Sequence, residues 1–451
     1  MCSHGLATRA RAGGMAWYMD PGERALKLTL RTPEGCEGAV SALARTPRLD
    51  ITEFHIDVWG WSDGDEDPGH GRRQAAAARI LRQVAFRAPL LETAALAGLT
   101  FERGAGPGSA LEPLRHLLHL RRLALFPVAE DDDAWGSVRV GNMGGLPITE
   151  LTLECNPNPH DVHIAPLPRG VTSFTLKGLE IRDGMDFLDR ALPRGLQSLT
   201  YEDVTCALFA DENYVPNYAR LKDLASLRVI DSTIDPDNLP VTLTSLHVQG
   251  RHQTLFGLGD YRIGHLTRLQ DLVFSRVLCD DDGHDDDEGF FDGSQLRHLT
   301  GLTRLALDTI DPVADAGALE TLTGLVDLTL NVVLPDLTAP PPLPDAPLTS
   351  LRLSLWDAAG IPLLPLRLGR PGVPDLARYP ALSSLTLHCV ALDAPAVSYL
   401  RDLPALKTLS LEACQVADAD RHRLAAAMAA RSVMLHHTPA DWPRDMFAKH
   451  L

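Results

Sequence analysis

The sequence predicts an α/β solenoid: a parallel sheet built from many short strands, each returning through a helical or extended segment. Three observations predict it. A strand motif with apolar residues at its first, fourth and sixth positions recurs about fifteen times. Ten of the fourteen spacings between successive copies fall between 23 and 29 residues. At 451 residues the chain exceeds the roughly 250–300 at which a single core stops growing, so it needs several domains or a repeated unit.

The first positions fall at Ala25, Ile51, Leu91, Leu120, Ile148, Val171, Leu196, Leu224, Leu243, Leu269, Leu302, Leu325, Leu348, Leu382 and Leu406. Clean copies are Leu302-Thr-Arg-Leu305-Ala-Leu307 and Leu325-Val-Asp-Leu328-Thr-Leu330, while Ala94 weakens the third. Alternation of apolar and polar residues gives a strand with one buried face. One such strand cannot shield its apolar side, whereas a parallel stack closes a continuous core. Chance alternation in a leucine-rich chain fakes two or three copies, not twelve in one register.

The segments between strands vary. Gln74 to Arg87 reads as a helix, with Ala77, Leu81 and Val84 on one face and Pro89 stopping it. Ala110 to His119 reads as a second helix. Pro340, Pro341, Pro342, Pro344 and Pro347 force an extended path over 337–347, and 362–374 is also rich in Pro and Gly. Residues 1–24 are expected to be a disordered tail and 25–415 the array. Residues 416–451 read as a capping helix and tail in which Trp442 and Phe447 cover the last repeat.

The longer pattern resembles the leucine-rich-repeat family, in its helix-containing, ribonuclease-inhibitor-like or cysteine-containing class. Leu406-Lys-Thr-Leu409-Ser-Leu411-Glu-Ala-Cys414-Gln-Val416 carries the likeness, as does the copy from Leu382, followed by the helical stretch Ala394 to Leu403. Val171 to Ile181 and the residues to Leu192 read alike, and Asp183 and Asp393 stand where helix N-caps would. The resemblance implies a horseshoe. It also implies Asn or Cys at the ninth position, where Asn156 and Cys414 fit. Leu179, Val204, Val277, Ile310, Val333 and Val390 do not, so the expectation is an irregular horseshoe with an incomplete polar ladder.

The net charge of −17 repels phosphate backbones, which argues against nucleic acid and for a neutral or basic protein partner. Seven widely spaced cysteines without a CxxC argue for a reducing, intracellular and cytoplasmic setting. No apolar run reaches the length of a membrane span. The first nineteen residues hold no acid but carry Arg9 and Arg11, which fits a disordered tail or an organelle transit segment.

The third, fifth and seventh positions of each copy face away from the core, onto the concave side. The candidate partner-binding residues are Glu150, Thr152, Glu154, Lys177, Glu202, Arg228, Asp271, Arg304, Asp308, Asp327, Asn331 and Arg352. The competing reading is that they are ordinary solvated strand residues. Three acidic inserts follow strands on one side of the repeat. They are Asp63, Asp65, Glu66 and Asp67; Glu130, Asp131, Asp132 and Asp133; and Asp280, Asp281, Asp282, Asp285, Asp286, Asp287 and Glu288. They read as an acidic rim for a basic partner, or as solvated loops.

No metal or cofactor site is expected. The last insert lacks the order of an EF-hand loop, and His116/His119 and His160/His163 are pairs without further ligands. Cys155, Cys389 and Cys414 fall at strand ends and read as packed thiols. No GxxxxGK[ST], HExxH or GxSxG motif is present. The reading is a non-catalytic protein-binding scaffold. The resemblance leaves two alternatives: a substrate-recruiting ubiquitin-ligase adaptor and a GTPase regulator. The 24 residues before the first strand are too few for an F-box module, and nothing singles out Arg276 or Arg304 as an activating arginine.

Overall fold

The computed structural model describes residues 10–12, 15–20, 24–31, 33–58, 70–99, 101, 109, 111–127, 137–155, 161–181, 190–206, 218–232, 236–250, 262–276, 291–314, 316–333, 343–356, 375–388 and 390–439. The chain forms two compact units, Met1–Ala225 with Ile230–Thr233, and Ser226–Val229 with Ile234–Leu451.

The strands of the first unit are β1 (Ala10–Ala12), β2 (Met15–Asp20), β3 (Ala25–Leu30), β4 (Glu53–Val58), β5 (Thr93–Leu99), β6 (Arg122–Pro127), β7 (Ser137–Val140), β8 (Glu150–Glu154), β9 (Asp161–Ile164), β10 (Ser173–Ile181) and β11 (Ser198–Cys206). From β3 the pairing is parallel, in the order β3-β4-β5-β6-β8-β10-β11. β7 and β9 form a separate two-stranded parallel sheet. α1 (Pro33–Arg45) and α2 (His70–Arg87) are the returns after β3 and β4.

The second unit begins with β12 (Ser226–Ile230), whose last residue belongs to the first unit. It continues with β13 (Ser245–Gly250), β14 (Asp271–Arg276), β15 (Phe291–Asp292), β16 (Arg304–Ala314), β17 (Asp327–Val333), β18 (Ser350–Trp356), β19 (Ser384–His388), β20 (Ala391–Leu392), β21 (Thr408–Val416) and β22 (Met434–Pro439). Its parallel order is β13-β14-β16-β17-β18-β19-β21-β22. β15 and β20 pair with the far ends of β16 and β21. α3 (Ala394–Asp402) and α4 (Asp418–Ala430) lie in the last two returns.

Register is the central fact of the fold. Each third position pairs with the third position of the next copy: Glu53, Thr93, Arg122, Glu150, Ser173 and Ser198 in the first unit. The second unit does the same from Ser245 through Asp271, Arg304, Asp327, Ser350 and Ser384 to Thr408. All fourteen first positions from Ile51 to Leu406 are buried. A one-residue slip would turn every one of these strands inside out.

The backbone repeats too. The amides of positions two and three both donate to the position-two carbonyl of the preceding copy, as Thr303 and Arg304 do to Gln270 at 2.8 and 3.0 Å. Position-two hydroxyls add to this. Thr149, Thr172, Thr303, Thr349 and Ser383 donate to the same carbonyls at 3.1–3.4 Å. A turn precedes several of the strands: Leu120, Leu224, Leu269, Leu302 and Leu325 each donate their amide to the carbonyl three residues back.

Several expectations change. Ala25 is not a first position: it pairs with Glu53, and the carbonyl of Arg24 accepts from Thr52 and Glu53, so Ala25 takes the third position of its copy. Residues 10–12 and 15–20, expected within a disordered tail, are strands that add an antiparallel hairpin to β3. The array does not stop at 415. Beyond α4, β22 pairs with β21 in the common register, Met434 opposite Thr408.

The helix-containing reading holds only in part. Among the described residues, α2 covers the predicted Gln74–Arg87 helix, and Asp393 caps α3 by accepting from the Ala396 amide at 2.9 Å. The predicted helix over 110–119 is instead a 3₁₀ turn, Glu112–His116. Further 3₁₀ turns are Tyr218–Arg220, Gly293–His298, Ala316–Thr321 and Leu376–Arg378. The cause is the spacing of the leucines ahead of the strand. Leu296, Leu299, Leu302 and Leu305 recur every three residues and are all buried. Three residues per turn is the 3₁₀ period, in which i and i+3 eclipse. Asp183, Asn156, Cys389, Trp442, Phe447 and most of the proline-rich stretches lie outside the described residues.

Candidate functional site

The third, fifth and seventh positions form the polar face of each sheet. All twelve candidate partner-binding residues lie there and none is buried. The reason is the strand alternation itself. In β16, Leu305 and Leu307 go into the core while Arg304, Ala306 and Asp308 face out.

In the first unit, the seventh positions Glu154, Lys177 and Glu202 stand side by side, and the Lys177 ammonium meets the Glu202 carboxylate at 2.7 Å. Thr152, Thr175 and Thr200 form the fifth-position row beside them. Further back, His55 lies 3.8 Å from Glu53. Burial and the nearby Lys27 ammonium hold the His55 imidazole below its usual pKa, opposed by Glu53.

The second unit carries a denser polar network. The Asp271 carboxylate accepts from Ser245 Oγ and meets His247 Nε2, both at 3.2 Å. Arg304 stands between Asp271 and Asp327, at 3.9 and 3.5 Å. Arg228 Nη1 lies 3.5 Å from His247 Nδ1. In the seventh-position row, Asp308 accepts from Ser275 Oγ at 3.3 Å and from Asn331 Nδ2 at 2.5 Å. Ser354 Oγ and His388 Nδ1 are 2.9 Å apart. Burial, then the Arg352 charge, lowers the His388 pKa, opposed by Glu412 and Asp308. The structure thus joins Asp271 with Arg304 and Asp327, and Asp308 with Asn331.

Sequence reading missed His247, Ser354, His388 and Glu412. Each occupies a fifth or seventh position, so the register alone would have found them. It also missed Ser232. At the ninth position of its copy, Ser232 accepts from the Val204 amide and donates to the Ile230 carbonyl, both at 2.9 Å, while fully buried. Cys414 takes the same place in its copy, its thiol donating to the Leu387 carbonyl at 3.2 Å. Burial pushes that thiol up to about 11, and Cys155 up to about 12, which suits packed rather than nucleophilic cysteines.

The acidic inserts, Asp63–Asp67, Glu130–Asp133 and Asp280–Glu288, lie outside the described residues. His116 and His119 are exposed, and among the described residues no three His, Cys, Asp or Glu side chains cluster as a metal site. No helix among the described residues is long and apolar enough to cross a membrane.

No family model and no curated protein matches the chain. Several solved structures do. A leucine-rich-repeat protein of Leptospira interrogans is 14% identical, with 89% of this chain and 98% of that one covered and a TM-score of 0.39. The leucine-rich-repeat chain of FLRT2, solved with Latrophilin 3 and Unc5D, is 15% identical over 79% of this chain and 87% of its own, with a TM-score of 0.34. TLR13, solved in complex with ssRNA13, is 14% identical over 87% of this chain and 59% of its own, with a TM-score of 0.41. By its repeat period, its buried leucine rows and the strand-for-strand register of its sheets, the chain has the parallel-strand fold of a leucine-rich-repeat solenoid.

Proposed function

We propose that the chain is a non-catalytic scaffold that binds a protein partner on the polar face of its second unit. The observation that carries this reading is the network from Arg228 through His247, Asp271 and Arg304 to Asp327, with Arg352 and Glu412 beyond it. Charged groups held by neighbours on a rigid sheet lose little freedom on binding, and that favours recognition. The mixture of both signs gives a patterned surface, which selects a partner by electrostatic complementarity. The acidic inserts would add a basic preference to that partner.

A photo-crosslinking amino acid placed at Thr329 or Thr386, both on this face, tests the reading. The expected result is a discrete crosslinked partner in native cells from these positions and none from Val326, which lies off the face. Equal crosslinking from all three positions would refute it.

A further inference from the structure

The acidity of the chain is not uniform. Residues 70–122 hold nine arginines, no lysine and three glutamates, a formal +6 in a chain of −17. The first unit places part of this charge on its return side, away from the polar face of the sheet. α2 buries Ala77, Ile80, Leu81 and Val84 and leaves Ala75, Arg79, Arg82 and Phe86 along its outer stripe. That stripe follows the i, i+4, i+7, i+11 spacing of one helix face.

α2 packs against the 3₁₀ turn Glu112–His116 of the next copy, and exposed apolar side chains lie on the helix and in the two turns that follow these segments. Phe86 is 80% exposed and Leu118 75%, with Leu90 at 37%. These are half of the six large apolar side chains exposed among the described residues. Leu90 and Leu118 lie in the turns that precede adjacent strands, β5 and β6, whose copies stack at about 4.8 Å. Nothing in the repeat requires them to be apolar, because the core is already filled by Leu91, Leu117 and Leu120.

The guanidinium groups around them are held by backbone carbonyls. Arg87 donates to Ala44 O at 2.8 Å while lying 5.7 Å from the centre of the Phe86 ring. Arg115 donates to Gly144 O at 2.9 Å, and Arg121 to the carbonyls of Leu118 and Pro147 at 3.4 Å. Among the described residues, Arg79 is ion-paired, with Glu37 at 2.5 Å, while Arg82, Arg87, Arg115 and Arg121 meet no carboxylate. Positioned cations with spare donors, next to exposed aromatic and aliphatic side chains, make a surface for an anion that also brings apolar groups.

We propose that this outer surface of the first unit docks an acidic protein segment carrying phenylalanine or leucine side chains. Its carboxylates would take the donors of Arg82 and Arg121, and its apolar residues would cover Phe86 and Leu118. A short segment fits better than a nucleic acid or a bilayer. Screening cuts off beyond about 8 Å at physiological salt, so a peptide engages the local positive charge alone. An extended polyanion or an anionic membrane would also meet the acidic remainder of the chain.

The test is fluorescence anisotropy with the intact chain and a labelled synthetic peptide of about twelve residues in which Glu alternates with Phe and Leu. Saturable binding is expected, weakened by salt. The pair Arg82→Glu/Arg121→Glu should weaken it about tenfold or more, and so should Phe86→Ser/Leu118→Ser. A peptide with Lys in place of Glu should regain affinity for the charge-reversed pair. All four side chains are exposed, and circular dichroism confirms folding. Arg304→Glu, on the polar face of the second unit, should leave binding unchanged, which keeps this surface distinct from the one proposed above. Absence of saturable binding, indifference to both pairs, or tighter binding of phosphatidylserine vesicles or single-stranded DNA at the same residues would overturn the proposal.

Discussion

Arg352 and Glu412 join across the strand that separates them. Arg352 lies on β18 and Glu412 on β21, and the guanidinium reaches over β19 to place Nη2 2.7 Å from Oε2 and Nη1 3.4 Å from Oε1. The pair spans two repeat steps and uses the fork geometry that only arginine offers. Both side chains are partly exposed, so solvent screens the attraction. Arg352→Ala is expected to cost about 0.5–1 kcal/mol, and Arg352→Lys nearly as much despite keeping the charge. Urea denaturation of the single and double variants with Glu412→Gln measures the coupling, and full additivity would show that the bridge contributes nothing.

Ser232 should matter more than its size suggests. Its hydroxyl satisfies the buried amide of Val204 and places its own proton on Ile230. Ser232→Ala leaves that amide without an acceptor, which costs about 1–3 kcal/mol. Ser232→Asn would keep an acceptor, but the site is fully buried and the added volume would strain it. Ser232→Ala is therefore the cleaner variant, read by its urea midpoint and by faster hydrogen exchange at the Val204 amide.

Position eight turns left-handed in several copies. Gly98, Gly178, Asp203, Asp231 and Ala413 all have φ between 48° and 73°. A Cβ on Gly98 would sit 1.7 Å from the Val58 carbonyl oxygen, so the turn there needs glycine on both conformational and steric grounds. Gly98→Ala should lose at least about 2 kcal/mol. Ala413→Gly should be close to neutral, because relief of the left-handed penalty offsets the greater freedom of the unfolded chain. Thermal denaturation of the two variants side by side checks the contrast, and equal effects would contradict it.

Two histidines make stability depend on pH. His55 and His388 both titrate below the ordinary 6.5, chiefly because they are half-buried. As pH falls through about 6.5, the unfolded chain takes up these protons before the folded one does. The stabilisation is therefore complete above about 6.5 and is lost as pH drops towards the folded-state values. Relative to His55→Gln/His388→Gln, the wild type should lose stability between pH about 7.5 and about 5.5. A constant difference across that range would show that these histidines do not set the pH dependence of stability.

The sequence made the buried layer legible because its signal is redundant. Fourteen of the fifteen predicted first positions are buried in the common register. The exception, Ala25, fails for a reason that lies outside its own strand. Ala25, Leu28 and Leu30 match the apolar pattern, and so do Leu26 and Leu28 two residues earlier. Only pairing with Glu53, Phe54 and Ile56 decides between the two registers. The return over 110–119 reads from its sequence as an α-helix, although its leucines recur every three residues. Leu114, Leu117 and Leu120 show that the same spacing suits a 3₁₀ turn running into a strand. The polar face was legible by position but not by partnership. The distance from Arg352 to Glu412, 60 residues along the chain, follows only from stacking the copies.

Quantitative affinity capture from native cells, with the intact chain beside its Arg304→Glu/Arg352→Glu variant, tests most directly whether the polar face of the second unit binds a partner. Both arginines are exposed on the polar face of the second unit, and matched thermal denaturation shows that the fold is kept. If that face binds the partner, a specific protein recovered with the wild type should fall about tenfold or more with the variant. Recovery of the same proteins in equal amounts from both would contradict the assignment of function to this face.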